Sequence, residues 1–255
     1  MTIMQKTVFE HADIRQVEVD GAWPVTVVHD NSSRVEIEYS AYLENYLKIN
    51  MEGEKLHVGF TGMVYAESGS VFRAVVHTPI VESVEAAEAS VVRFEGGQFS
   101  SAESPLTLHL TGASICSGLE FSGNQCEITL EKASHLLDFQ VYSENCEVSL
   151  SGASTCKGTF ETESRFEDVL DRSAQLVTFG GSVPHAVLRL QKASTLNMVQ
   201  TEVGTMEIAL SGASEATVWV VGSLSGTLRE ASTLYYKGSP TVEVDCEEGS
   251  EAVPL

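Results

Sequence analysis

Alternation of apolar and polar residues dominates this chain. It is strict ahead of a series of leucines. Leu106, Leu108 and Leu110 form one such stretch, Cys126, Ile128 and Leu130 the next, and Cys146, Val148 and Leu150 a third. Thr107, His109, Glu127, Thr129, Glu147 and Ser149 stand between them. A period of two puts the apolar side chains on one face of a strand and the polar ones on the other. The leucines Leu110, Leu130, Leu150, Leu170, Leu190 and Leu210 fall 20 residues apart without an insertion, and Leu228 follows after a shortened step. A fixed period of this size predicts a solenoid, each repeat being one turn packed on its neighbours. Helical i, i+3, i+4 spacing is missing, and so is the L-x-x-L-x-L-x-x-N frame of leucine-rich repeats. The pattern predicts an all-β protein, a parallel right-handed β-helix solenoid with coils of about 20 residues.

After each leucine comes a restated phrase: LTGAS at 110, LEKAS at 130, LSGAS at 150, LDRSA at 170, LQKAS at 190 and LSGAS at 210. It predicts a corner that every coil turns at the same height, where stacking at about 4.8 Å admits only small side chains. In this reading alanine fits inside. The serine hydroxyl bonds nearby backbone or the next coil, and Gly112, Gly152 and Gly212 supply positive φ. Beyond the corner Cys116, Leu136, Cys156, Leu176, Leu196, Ala216 and Leu234 form a second apolar column. Three residues further Leu119, Phe139, Thr159, Phe179, Val199 and Trp219 form a third, mostly apolar. The phase change between these columns predicts a bend in each coil.

The repeat organises residues 1–255 as a single β-helix domain. Residues 7–83 alternate irregularly and are expected to start and cap the stack, 84–238 hold the regular coils, and 239–255 form a C-terminal cap and tail. No apolar run is long enough to span a membrane as a helix. The opening MTIMQKTVFEHADIRQ lacks an apolar signal core, so the chain as written is expected to be cytoplasmic unless a leader has been removed.

Charge narrows the partners. Fifteen basic against 36 acidic residues leave a formal net charge of −21, which argues against nucleic acid and anionic membranes. Protein or carbohydrate ligands and self-association remain. Cys116, Cys126, Cys146, Cys156 and Cys246 are odd in number and follow no C-x-x-C spacing, so neither a disulfide framework nor a zinc site is expected. Cys126 and Cys146 stack too far apart for relaxed disulfide geometry and are expected to be buried, inert thiols.

Two features touch chemistry. Glu127, Glu147 and Glu167 form an outward row that continues to Glu207 past Val187. Like charges about 5 Å apart repel by roughly 0.8 kcal/mol even in water, so the row is a candidate binding site for a divalent cation, against the plainer reading of solvated glutamates. Asp168 falls in the inward column of Leu108, Ile128, Val148, Leu188 and Ile208, where a carboxylate is costly. A local slip that turns Val169 inward is the expectation, with Arg165 or Arg172 as possible partners otherwise. No H-E-x-x-H, G-x-S-x-G or P-loop motif is present, the seven histidines are scattered, and no catalytic residue, metal ligand set or cofactor is expected.

The run F-x-x-I-x-x-V-x-V-x-G from Phe9 to Gly21, then VEIE, ENYL, the SGAS coils and LYYKGSP at 234–240 resembles the head GIN domain family of auto-transporter adhesins from Bacteroides-like bacteria. The resemblance covers nearly the whole chain and implies a β-helix, a non-enzymatic binding or adhesion role, and a place in the cell envelope or outside the cell. Alternatives are a bactofilin-like structural protein that assembles end to end, and a polysaccharide-processing β-helix enzyme. The last would need paired carboxylates across a glycosidic bond and has only Trp23 and Trp219 to stack on a sugar.

Overall fold

The structure is a computed structural model that describes residues 2–101 and 104–255. It is a parallel β-solenoid of about 8 turns. Leu110, Leu130, Leu150, Leu170, Leu190, Leu210 and Leu228 lie side by side in one register, all buried. Period-two patterning forces this outcome: any shift by one residue would turn a whole apolar set to solvent. One core cluster runs from Ile14 to Leu234.

At the corner the roles of alanine and serine are the reverse of the expectation. Two successive residues take left-handed backbone, Gly112 and Ala113 at φ 66° and 63°, or Lys132 and Ala133 at 54° and 63°. This tight turn leaves Ala113, Ala153, Ala193 and Ala213 exposed and Ala133 half-exposed, and points the serine inward, so Ser114, Ser134, Ser154, Ser194 and Ser214 are buried. An inward hydroxyl needs a partner. Ser134 Oγ donates to the Glu131 carbonyl at 2.7 Å and Ser154 Oγ to that of Ser151 at 2.6 Å, and the remaining corner serines do the same. The bonding also runs along the stack: the Ser194 N–H donates to Ser214 Oγ at 3.3 Å, and the Ser232 N–H to Ser250 Oγ at 3.0 Å. In LDRSA the exchange puts Ala174 in the buried place and Ser173 outside.

The third apolar column is only partly real. Leu119 and Phe139 point inward because Gly118 and Asp138 take φ 76° and 52° and break the alternation before them. From the next coil the strand runs straight on, so Gly158, Thr178, Met198 and Val218 face in. Thr159, Val199 and Trp219 are then half-exposed, and Phe179 is 52% exposed. A Cβ on Gly158 would meet the Phe139 ring at 2.4 Å, so this glycine is what lets the ring lie flat in the core.

The first coils do not stack in chain order. Gln16–Val19 lies between Lys55–Phe60 and Ser83–Ala86, parallel to both. Pro24–His29 lies likewise between Phe72–Thr78 and Val91–Glu95. Beyond the outermost coil pairing turns antiparallel: Arg34–Ser40 runs against Phe72–Thr78, Ile3–Val8 against Arg34–Ser40, and Leu47–Glu52 against Lys55–Phe60. Trp23, wholly buried, packs on Phe60 and Phe72 at 5.1 and 5.5 Å between ring centres. At the other end Thr241–Cys246 and Glu251–Pro254 add parallel strands to the coil before them.

Candidate functional site

Strand register builds the outward rows directly. Glu127 pairs with Glu147 and Glu147 with Glu167, after which Val187 and then Glu207 occupy the same row. Glu167 is held by the Arg165 guanidinium, whereas Glu127 and Glu147 meet no cation among the described residues. With Thr129, Ser149 and Val169 beside them, the three glutamates line a shallow depression of about 110 Å³. Among the described residues no group of three or more His, Cys, Asp or Glu side chains is arranged to hold a metal ion.

Behind that face sits Asp168, and neither expectation for it holds. The strand does not slip: Val148 pairs with Asp168 and Ser149 with Val169, leaving Asp168 1% exposed and Val169 39% exposed. Arg165 binds Glu167 and Arg172 binds Asp171 instead. A slip would also have turned Phe166 and Leu170 outward, which costs more than burying one neutral acid. Neither carboxyl oxygen makes a hydrogen bond of good geometry. Burial pushes the acid well above the usual carboxylate range, opposed only by the Val169 backbone N–H.

The thiols share this interior. Cys126 and Cys146 are register partners, both buried and unbridged. Burial, then the hydrogen bond with Cys126, pushes the Cys146 thiol up, and burial together with Asp168 does the same for Cys156. Thiols so held are poor nucleophiles.

Two grooves escaped the sequence pattern. One, of about 480 Å³, lies on the antiparallel end and is lined by Gln5, Thr7, Thr26, Glu36, Glu38 and Arg73, with Arg73 already bound to Glu38. The other, of about 410 Å³, runs along a solenoid corner past Ser122, Tyr142 and Glu161. No length difference marks it in the sequence: two residues between Thr162 and Arg165 face one between Ser143 and Asn145, and this is offset by the extra Asp138 between Leu137 and Phe139, so the coils keep 20 residues. Such an extra residue bends its strand and re-aims side chains. Of the tryptophans considered for sugar stacking, Trp23 is inside the core, and Trp219 is half-buried with Lys237 Nζ 4.1 Å from its ring centre.

Fold and surface together define a β-solenoid that displays side-chain rows on a rigid frame. The chain belongs to the family "Putative auto-transporter adhesin, head GIN domain", whose model matches residues 13–240. Similar solved structures include a "putative adhesin" from Parabacteroides distasonis, with TM-score 0.74 and 13% identity over 99% of this chain and 97% of that one. A "putative adhesin" from Parabacteroides merdae gives 0.71 and 12% over 99% and 96%. A "putative lipid binding protein" from Parabacteroides distasonis gives 0.67 and 11% over 99% and 96%. At such identities the likeness is one of fold. No curated protein matches this sequence.

Proposed function

We propose that this chain is a non-enzymatic binding or adhesion module of the bacterial cell envelope, a single β-helix domain over residues 1–255 that presents its flanks to an extended partner. The observation that carries the reading is the coil-to-coil register that stacks Glu127, Glu147 and Glu167 in one outward row on a continuous core, in a chain of an adhesin family. A solenoid holds such rows at fixed spacing without ordering cost on binding, which favours contact with a partner that is itself extended. Glu127 and Glu147, without cations of their own, are the residues proposed to contact a cation or a cationic group, Glu167 adding to them. The acidic last coil, with Glu243, Asp245, Glu247, Glu248 and Glu251, opposes end-to-end stacking of copies.

The test coats beads with the purified chain and measures adherence to immobilised mucin, fibronectin and collagen, with and without calcium, beside an assay for sugar reducing ends released from mucin. Saturable adherence without release is expected. Release of reducing ends would overturn the non-enzymatic reading, and adherence to none of the three surfaces would overturn the adhesion reading. A Glu127→Gln/Glu147→Gln variant that keeps calcium-dependent adherence would remove the glutamate row from it.

A further inference from the structure

We infer that the corner groove around Tyr142 is a binding site for a neutral saccharide chain. This rests on the binding-module reading and names both the site and the ligand class. The groove crosses the coils instead of following one strand. Ser100, Ser122, Tyr142 and Glu161 are successive register partners along its floor, and the step between such partners is about 4.8 Å. A ligand that fits this groove is therefore a chain of small units lying along the solenoid axis.

Its chemistry selects the unit. Tyr142 lines the groove and is 41% exposed, and its ring offers an apolar face suited to the C–H side of a pyranose. Around it Glu144, Glu161 and Glu163 meet no cation among the described residues and supply acceptor oxygens for pairs of sugar hydroxyls. Three carboxylates repel uronic or sialic acids and phosphates, which leaves uncharged sugars. The same three are not arranged as a metal site. A volume of about 410 Å³ lies within the range of small-ligand sites. The register shift between Ser143–Asn145 and Thr162–Arg165 falls at this groove, beside Glu144 and Glu163.

The experiment is affinity electrophoresis of the full chain through native gels cast with galactomannan, xylan or a mixed-linkage β-glucan, each against a plain gel. At least one of these should retard the wild type, Tyr142→Ala should weaken the retardation at least tenfold, and Glu161→Gln several-fold. Both positions are exposed, and circular dichroism of each variant checks that the fold is kept. Tyr65→Ala, 85% exposed and outside the groove, should keep the wild-type retardation relative to the plain gel in every case. Retardation by none of the three, or retardation unmoved by Tyr142→Ala, overturns the groove assignment. In the second case loss on Glu127→Gln/Glu147→Gln would leave the binding-module reading standing. Binding of a lysine-rich peptide that vanishes at high salt, with no response to the glycans, would make the groove a protein contact and also overturn the proposal. Release of reducing ends from a retarding glycan would support the groove while ending the non-enzymatic reading.

Discussion

Asp168 shows how one residue is overruled by its neighbours. Its column is occupied by Leu108, Ile128, Val148, Leu188 and Ile208, and the stacked Leu150, Leu170 and Leu190 hold the strand so that the acid goes inside. An unpaired buried polar group of this kind costs about 1–3 kcal/mol. Asp168→Val should therefore raise stability by about 2 kcal/mol at pH 4, measured by urea unfolding. The pH dependence follows from the direction of the shift, because the folded state keeps the proton that the unfolded chain loses near pH 3.9. Stability from the neutral acid is complete below that value and is lost as pH climbs through the raised folded-state value. The gap between variant and wild type should widen by up to about 1.4 kcal/mol per pH unit above pH 4. A constant gap from pH 4 to 8 would show that the acid is ionised in the folded chain or is not buried. The corner serines are the opposite case, since each inward hydroxyl finds the carbonyl of its own turn and is worth roughly 1 kcal/mol.

Coils differ most where the backbone turns. Gly118 and Asp138 bring Leu119 and Phe139 into the core by adopting positive φ, while the following coils continue in plain alternation. The sequence shows an apolar residue at this offset in every coil but that of Thr159, and offset alone does not reveal which coil carries the left-handed residue. Phe139 then lies over Gly158 and packs on Phe160 at 4.8 Å between ring centres, with Phe166 at 5.0 Å beyond. Gly158→Ala should thus destabilise by about 1–3 kcal/mol through overpacking, although its backbone is ordinary. Combining it with Phe139→Leu should recover part of the loss, and full additivity of the two changes in thermal unfolding would show that they do not touch.

The whole molecule behaves as a stack whose stability is the sum of its coils and their interfaces. Deleting residues 191–210 joins Leu190 to Ser211 and keeps every remaining residue in its column, since Leu190 and Leu210 are register partners. That variant should fold, with a β-type circular dichroism spectrum and a cooperative transition. Deleting only 201–210 removes half a coil and should unfold the C-terminal part, and equal stability of the two deletions would contradict a registered solenoid. Net charge acts at this scale as well. A formal −21 on one chain repels itself, so added sodium chloride should raise the melting midpoint through screening. A midpoint that falls with salt would show that favourable ion pairs outweigh the repulsion.

Sequence alone determined the period, the parallel stack, the inward leucine column and the place of each corner, because a period of two repeated every 20 residues leaves one register that buries its apolar face. It also placed Glu127, Glu147 and Glu167 in one outward row. Tertiary structure decided everything that depends on neighbours distant in the chain. It put the coil of Lys55–Phe60 outside that of Gln16–Val19, sent serine rather than alanine into the corner, kept Asp168 inside, and set a groove at Tyr142 beside a register shift. Those outcomes arise from packing and hydrogen bonding between coils, where the cost of one misplaced side chain is weighed against the register of a whole strand.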